Sequence, residues 1–456
     1  MSRFSQLSLE LRLLVTLVLV AVLAPFSPAS AGDGDLDPTW GSNGISFGFG
    51  NTVPRASGVA PDQQLYFTGR TTLPDDSEFE WWRDGNSGGG FWEGCSWGLT
   101  LLDNFDIREV LFDSADRLLY AGTMTVFGTE TVQRAFVARF ETFSGGDSCN
   151  LDDTFSGAGW EYFDDAPYCD TEDCRLIDIE ETEGTTTRYI ALLERVQNIL
   201  LSDYYLIGLT ASGVLDPNFN DGEVLAVTAA DFAALGGGAA ELAVDRANRP
   251  YVLYSFYDPD GNFDLDVALN RYLQNGASLD GTFATGGRLL IDADDFEDTV
   301  PRAIAIGSDG RLGYGLWSSE NFSKIRVFDR TMGSSVPDIL DQRDVGALAF
   351  DGLGRLLVTS NVLNGDDMEI GRWIPSFGTG FLLSDNTFGV AGLRLVDIDG
   401  GGANGELPVD IETPGGQPMI LVEADQAVAG SQAYLVRLEN SLIFADGFEW
   451  GSTKFW

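Results

Sequence analysis

The chain has 456 residues, with 70 Asp and Glu against 27 Lys and Arg, a formal net charge of −43 and no histidine. A field of that sign repels polyanions, which excludes nucleic acid as a partner, because counterion release needs Lys or Arg laid against phosphates. The missing imidazole removes Ser-His-Asp triads, Cys-His pairs and histidine metal sites, leaving carboxylate, tyrosine or calcium chemistry; with 44% hydrophobic residues, the charge does not preclude a packed core.

The first predicted element is a secretory leader. Arg3 and Arg12 precede an apolar run over 13–24, then Pro25, Pro28 and the small residues Ala29, Ser30 and Ala31. The run is short for a membrane span and ends in an A-x-A site, so cleavage is expected after Ala31 and residues 1–31 form a signal peptide. No later apolar stretch approaches spanning length, so no transmembrane segment is expected after cleavage. In an oxidising compartment Cys95, Cys149, Cys169 and Cys174 imply two disulfides out of three possible pairings. Cys169 with Cys174 is favoured because four residues separate them, and Cys95 with Cys149 follows by elimination.

From residue 32 a short signature recurs. It reads Leu36, Asp37, Pro38, Thr39, Trp40, then Leu151, Asp152, Asp153, Thr154, Phe155, then Leu215, Asp216, Pro217, Asn218, Phe219. It returns as Leu279, Asp280, Gly281, Thr282, Phe283 and as Ser384, Asp385, Asn386, Thr387, Phe388, with a shrunken copy at Leu102, Asp103, Asn104, Phe105. Between signatures lie seven alternating apolar runs folded about a polar turn, at 58–68, 110–121, 176–192, 242–253, 303–314, 347–359 and 409–422, the period-two pattern of hairpins. A third strand follows each, at 136–140, 204–209, 267–272, 325–328, 370–373 and 434–438, with a looser copy at 97–102. A short strand after each signature, such as 223–227 or 288–291, makes four per unit.

Four strands repeated seven times predict an all-β fold, a β-propeller of seven four-stranded blades over 32–442. A twisted four-stranded sheet cannot cover both its faces, so neighbours must stack and the ring must close to remove exposed edges. The signature aromatic is expected to wedge between blades while its Asp accepts amide hydrogen bonds in the turn. The segment 45–47 precedes any complete hairpin and is expected to add to the last blade.

The signature, a nearby Gly such as Gly44, Gly159, Gly222 or Gly286, and the D-G-R type turn in 302–315 together resemble the delta-60 repeat family of bacterial secreted proteins. That resemblance implies a propeller-like exported protein with no assigned chemistry. The tail at 443–456, through Ile443, Phe444, Asp446, Gly447, Phe448 and Glu449, is similar to an IFxDGFExG ending of secreted gammaproteobacterial proteins and implies sorting or surface display. The expected location is secreted, periplasmic or at the cell surface of a Gram-negative bacterium.

Two groups of residues are candidate sites. Asp258, Asp260, Asn262, Asp264 and Asp266 alternate around Gly261, and such closely spaced oxygens with a turn glycine suit calcium, although the distal Glu of an EF-hand loop is missing. Arg55, Arg108 and Arg302 sit nine residues before Gln64, Arg117 and Arg311, and Arg175 opens its own hairpin, so repeated guanidinium groups at one blade position would form an anion site at one mouth of the ring. The competing reading pairs them with the Asp residues of the repeat. No catalytic pair stands out among so many acids. The expected function is non-enzymatic binding of a protein or glycan partner by a monomeric propeller; the alternatives are a carboxylate-dependent polysaccharide hydrolase or lyase, and a calcium-dependent envelope protein.

Overall fold

The computed structural model describes residues 34–439 apart from connecting segments between strands, the longest being 84–94, 142–149 and 228–238. The leader at 1–31 and the tail at 443–456 lie outside the described residues.

The middle strands are buried on both faces, as in Pro250–Tyr257, and read as unbroken apolar runs. The first strand of each hairpin has one face turned to the ring axis and keeps an alternating pattern, as in Asp173–Glu181. Among the described residues the strands pair antiparallel into seven sheets, six of four strands and one of five. Sheets 1 to 5 take their strands consecutively, starting at Thr52–Val59, Asn104–Phe112, Asp173–Glu181, Ala240–Val244 and Thr299–Ile306. Sheet 6 starts at Asp344–Phe350 and sheet 7 at Glu406–Glu412. These innermost strands touch in sequence around the axis, and that of sheet 7 touches that of sheet 1. The fold is therefore an all-β propeller.

The core is distributed over the joints. Seven apolar clusters each span one sheet and the next, including one that joins Leu421 and Leu435 of sheet 7 to Leu65 and Phe67 of sheet 1. No sheet holds a core alone, which is the physical reason the ring must shut.

The signature forms a repeated clamp. Asp152, Asp216, Asp280 and Asp385 each accept the amide of the residue two ahead on Oδ1, at 2.9–3.1 Å. In four copies the last strand-three arginine reaches the signature carboxylate: Arg139 to Asp152, Arg271 to Asp280, Arg372 to Asp385 and Arg437 to Asp37, at 2.8–2.9 Å. Each guanidinium also lies 4.6–5.9 Å from the ring centre of the signature aromatic, Phe155, Phe283, Phe388 or Trp40. The ring then presses on a glycine of the next sheet, Phe155 on Gly213, Phe219 on Gly276 and Phe388 on Gly34, where a Cβ would come within 2.5–2.7 Å. The expected wedge and turn are thus present, with an arginine that the sequence pattern did not reveal.

Three expectations are corrected. Sheet 6 has, besides the strand Leu393–Val396 expected after its signature, a fifth strand Phe381–Ser384 ahead of it on the same edge of Met368–Ser376, so the units are not uniformly four-stranded. The third strand of sheet 1 is Phe79–Arg83, while Trp97 ends the fourth strand, Cys95–Trp97, and 98–102 lie outside the described residues. Asn104 and Phe105 begin an innermost strand and make no signature turn. The expected addition of 45–47 to sheet 7 is met at Ile45, which bridges Val436 as Leu36 bridges Leu438, and the paired strand itself is Phe49–Gly50. The Cys169–Cys174 disulfide is formed; Cys149 and the side chain of Cys95 lie outside the described residues.

Candidate functional site

The seven innermost strands enclose a central cavity of about 850 Å³. Its lining follows from a local irregularity repeated around the ring. Six of these strands slip register with the second strand by one residue, at 55, 108, 177, 302 and 409 and, in sheet 6, where Gly346 and Ala347 oppose Thr359 alone. A bulge re-aims its side chain and bends the strand, so two successive residues reach the axis where regular pleating would send one away. Arg55, Arg108 and Arg302 occupy three of these bulges and line the cavity. Arg175 lines it too, but two residues earlier; the position equivalent to the other three is Ile177. The structure therefore brings the four sequence-selected arginines to one cavity, and corrects the equivalence assumed for Arg175.

Their partners are not the signature acids. Asp106 is shared by Arg108, at 2.9 Å, and Arg55, at 3.4 Å. Arg302 reaches Asp344 at 3.1 Å and lies over Trp317, while Arg175 donates to Gln133 Oε1 at 2.7 Å and approaches Glu194. With side chains 37–47% exposed, these ion pairs are worth about 0–1 kcal/mol and leave guanidinium donors open to the cavity.

One residue further along the strands the charge reverses. Counted back from the last paired residue of each innermost strand, the same position holds Glu109, Asp178 and Glu241, and Ala56, Ala303 and Ala347 in sheets 1, 5 and 6. Glu180, Asp410 and Glu412 complete an acidic belt on the cavity wall. Two belt residues also stitch neighbouring sheets: Asp410 of sheet 7 accepts from the Ser57 hydroxyl at 2.7 Å and its amide at 3.1 Å, and Asp178 of sheet 3 accepts from the Leu242 amide of sheet 4 at 3.2 Å. Glu109, Glu180, Glu241 and Glu412 accept no hydrogen bond from the described residues.

Crowding shows in the proton affinities. Burial, then Asp178 and Asp410 nearby, push Glu241 up to about 8 against the pull of Arg108 and Arg302. Burial raises Asp178 to about 7 even though the amides of Leu242 and Ile179 stabilise its charged form. Glu109, Glu180, Glu412 and Asp410 are raised for the same first reason, the first three also by neighbouring carboxylates. Such a belt can hold protons at neutral pH, donate them, or accept hydroxyl and ammonium donors.

No family model matches the sequence, and no curated protein matches it. Solved structures do. An ulvan lyase from a polysaccharide lyase family aligns at 10% identity and TM-score 0.51, over 86% of this chain and 94% of its own. A second polysaccharide lyase aligns at 8% identity and TM-score 0.50, over 91% and 94%. The β-propeller domain of a trilobed protease from Pyrococcus furiosus aligns at 10% identity and TM-score 0.46, over 86% and 94%. At these identities the likeness is one of fold alone.

Of the calcium candidates, Asp266 lies in the strand Leu265–Arg271, while Asp258, Asp260, Asn262 and Asp264 lie outside the described residues. The acidic belt was not found from sequence. Aligning the seven hairpins on their turns would have exposed the Glu109, Asp178 and Glu241 column, but the chain's 70 acids conceal any one of them.

Proposed function

We propose that the protein is an exported, seven-bladed propeller that acts by binding, not by catalysis, and that its ligand enters the central cavity with acidic groups held by Arg55, Arg108, Arg175 and Arg302. The observation that carries this reading is the convergence of four half-exposed guanidinium groups on one cavity in a chain with 27 basic residues among 456. A cavity of about 850 Å³ is in the range that takes a small ligand or a few sugar units. The leader over 1–31 and the delta-60-like repeats support export to the periplasm or surface of a Gram-negative bacterium, and the tail at 443–456 supports display there.

The test is binding of an oligogalacturonate, an acidic glycan, by calorimetry. Arg55→Ala with Arg302→Ala should weaken it at least tenfold and leave the urea midpoint nearly unchanged, because exposed pairs contribute only about 0–1 kcal/mol each. Wild type that binds no acidic glycan, or a double variant that binds it as well, would sink the reading.

A second reading is favoured by the raised carboxyls: Asp178 at about 7 and Glu241 at about 8 are poised as general acids for cleavage of a glycosidic bond. Release of reducing ends from a polysaccharide, lost in Glu241→Gln, would favour the enzyme over the binder. The third reading, calcium at Asp258, Asp260, Asn262, Asp264 and Asp266, requires a melting temperature that rises with calcium.

A further inference from the structure

The acidic belt is a second subsite within the same cavity. Glu109, Glu180, Glu241 and Glu412 face the cavity without a hydrogen bond from the described residues, and each is pressed by other carboxylates. Beyond the pull of Arg108 and Arg302 on Glu241, their repulsion is relieved by protons or by a cation.

The kind of cation follows from spacing. No group of three or more acids among the described residues is gathered tightly enough to hold a metal ion, although the belt carboxylates act on one another's charge. Acids spread around a wide cavity suit separated ammonium groups on one molecule better than a single compact ion. Arg108 stands one residue before Glu109 and Arg175 three residues before Asp178 on the same strands, at about 3.3 Å for each residue of strand, while Arg55 and Arg302 precede Ala56 and Ala303. On those two strands that carry both charges the wall therefore changes sign within about 10 Å, three residues of strand.

We propose that the cavity selects an amphoteric small ligand, whose ammonium groups sit among Glu109, Asp178, Glu180, Glu241, Asp410 and Glu412 while its acidic groups meet the four arginines. This rests on the reading of the cavity as the ligand site and adds the class of molecule it takes.

Spermidine probes the belt alone, since it carries ammonium groups and no acid. Calorimetry at low salt should give saturable binding of one spermidine per chain, weakened at least tenfold by Asp178→Asn with Glu241→Gln. The surface control Asp153→Asn with Glu223→Gln removes the same charge from exposed positions and should change binding less than twofold. Arg55→Ala with Arg302→Ala should keep or tighten spermidine binding while losing oligogalacturonate. If the belt variant misfolds, Glu180→Gln with Glu412→Gln repeats the test without touching a hydrogen bond. Equal losses in belt and surface variants, non-saturable uptake, or no spermidine binding would overturn the inference. Oligogalacturonate binding that survives such a result leaves the cavity reading standing; loss of both ligands from wild type removes the two together.

Discussion

Replacing Arg372 with Met should expose how much each joint depends on its buried clamp. The Arg372 side chain is fully buried, donates from Nε to Asp385 Oδ2 at 2.9 Å and from Nη2 to Thr387 Oγ1 at 3.0 Å, and lies over the Phe388 ring. Met keeps much of the stem's packing and removes the cation. Asp385 is then left with Arg355 Nη1 at 3.3 Å and the Thr387 amide and hydroxyl at 3.1 and 2.6 Å. Deleting one member of a buried pair costs about 3–5 kcal/mol, and these remaining partners place Arg372→Met near the lower end, at about 3 kcal/mol. With a urea m-value on the order of 3 kcal/mol/M, the midpoint should fall by about 1 M. Adding Asp385→Asn keeps an acceptor for the turn and removes the uncompensated charge, so it should return about 1 kcal/mol. Urea titrations followed by tryptophan fluorescence measure both steps. A midpoint equal to wild type, or a further fall on adding Asp385→Asn, would refute the clamp as an electrostatic unit.

Four other outcomes follow from the same structure. Because folding raises Asp178 to about 7 and Glu241 to about 8, their contribution to stability is complete below about pH 4 and is lost as pH climbs through those values; Glu241→Gln should therefore melt higher than wild type near pH 8.5 and equally near pH 4, and an identical offset at both would contradict this. The clamp carboxyls Asp152, Asp280 and Asp385 are lowered, despite burial, by their Thr and Arg partners and act in the opposite sense, so stability should also decline below about pH 4, visible as a maximum in a melting profile. Gly213→Ala puts a Cβ 2.7 Å from the Phe155 ring at a φ of +81°, which should cost about 1–3 kcal/mol in chemical denaturation, whereas Gly281→Ala, with open space around it, should cost much less. Cys169→Ser with Cys174→Ser opens a very short loop and should destabilise by about 2 kcal/mol, read as a difference between oxidised and variant midpoints.

What could be read from the sequence was local. A hairpin announces itself within a dozen residues, and Asp113, Asp245 and Asp351 each close their turn by accepting the amides two and four residues ahead, so all seven hairpins were legible. The signature turns were legible for the same reason. The third strand of sheet 1 was missed because in Phe79–Arg83, FEWWR, the adjacent Trp81 and Trp82 break the alternation that marked its counterparts. The fifth strand of sheet 6, Phe381–Ser384, was missed because it lies just ahead of the signature, where the other copies make only a single bridge, Phe140 to Leu151, Leu209 to Leu215 or Tyr272 to Leu279. The arginine column could be aligned since bases are scarce. Its exact meeting with the acidic belt could not, because a bulge is a property of two strands and the sequence of one does not show it.

The Phe49–Gly50 strand, paired to Ala433 and Gln432, ties together residues from opposite ends of the chain. A chain made or exported from its N-terminus must hold that strand without a partner until the last hairpin arrives, while six joints can assemble behind it. Contacts of such long sequence separation form late, so the ring should snap shut in a slow final phase that leaves an unpaired edge exposed meanwhile. Assistance during biogenesis would be needed most in that interval, and cutting the chain before residue 34 should be harmless where cutting after residue 50 is not.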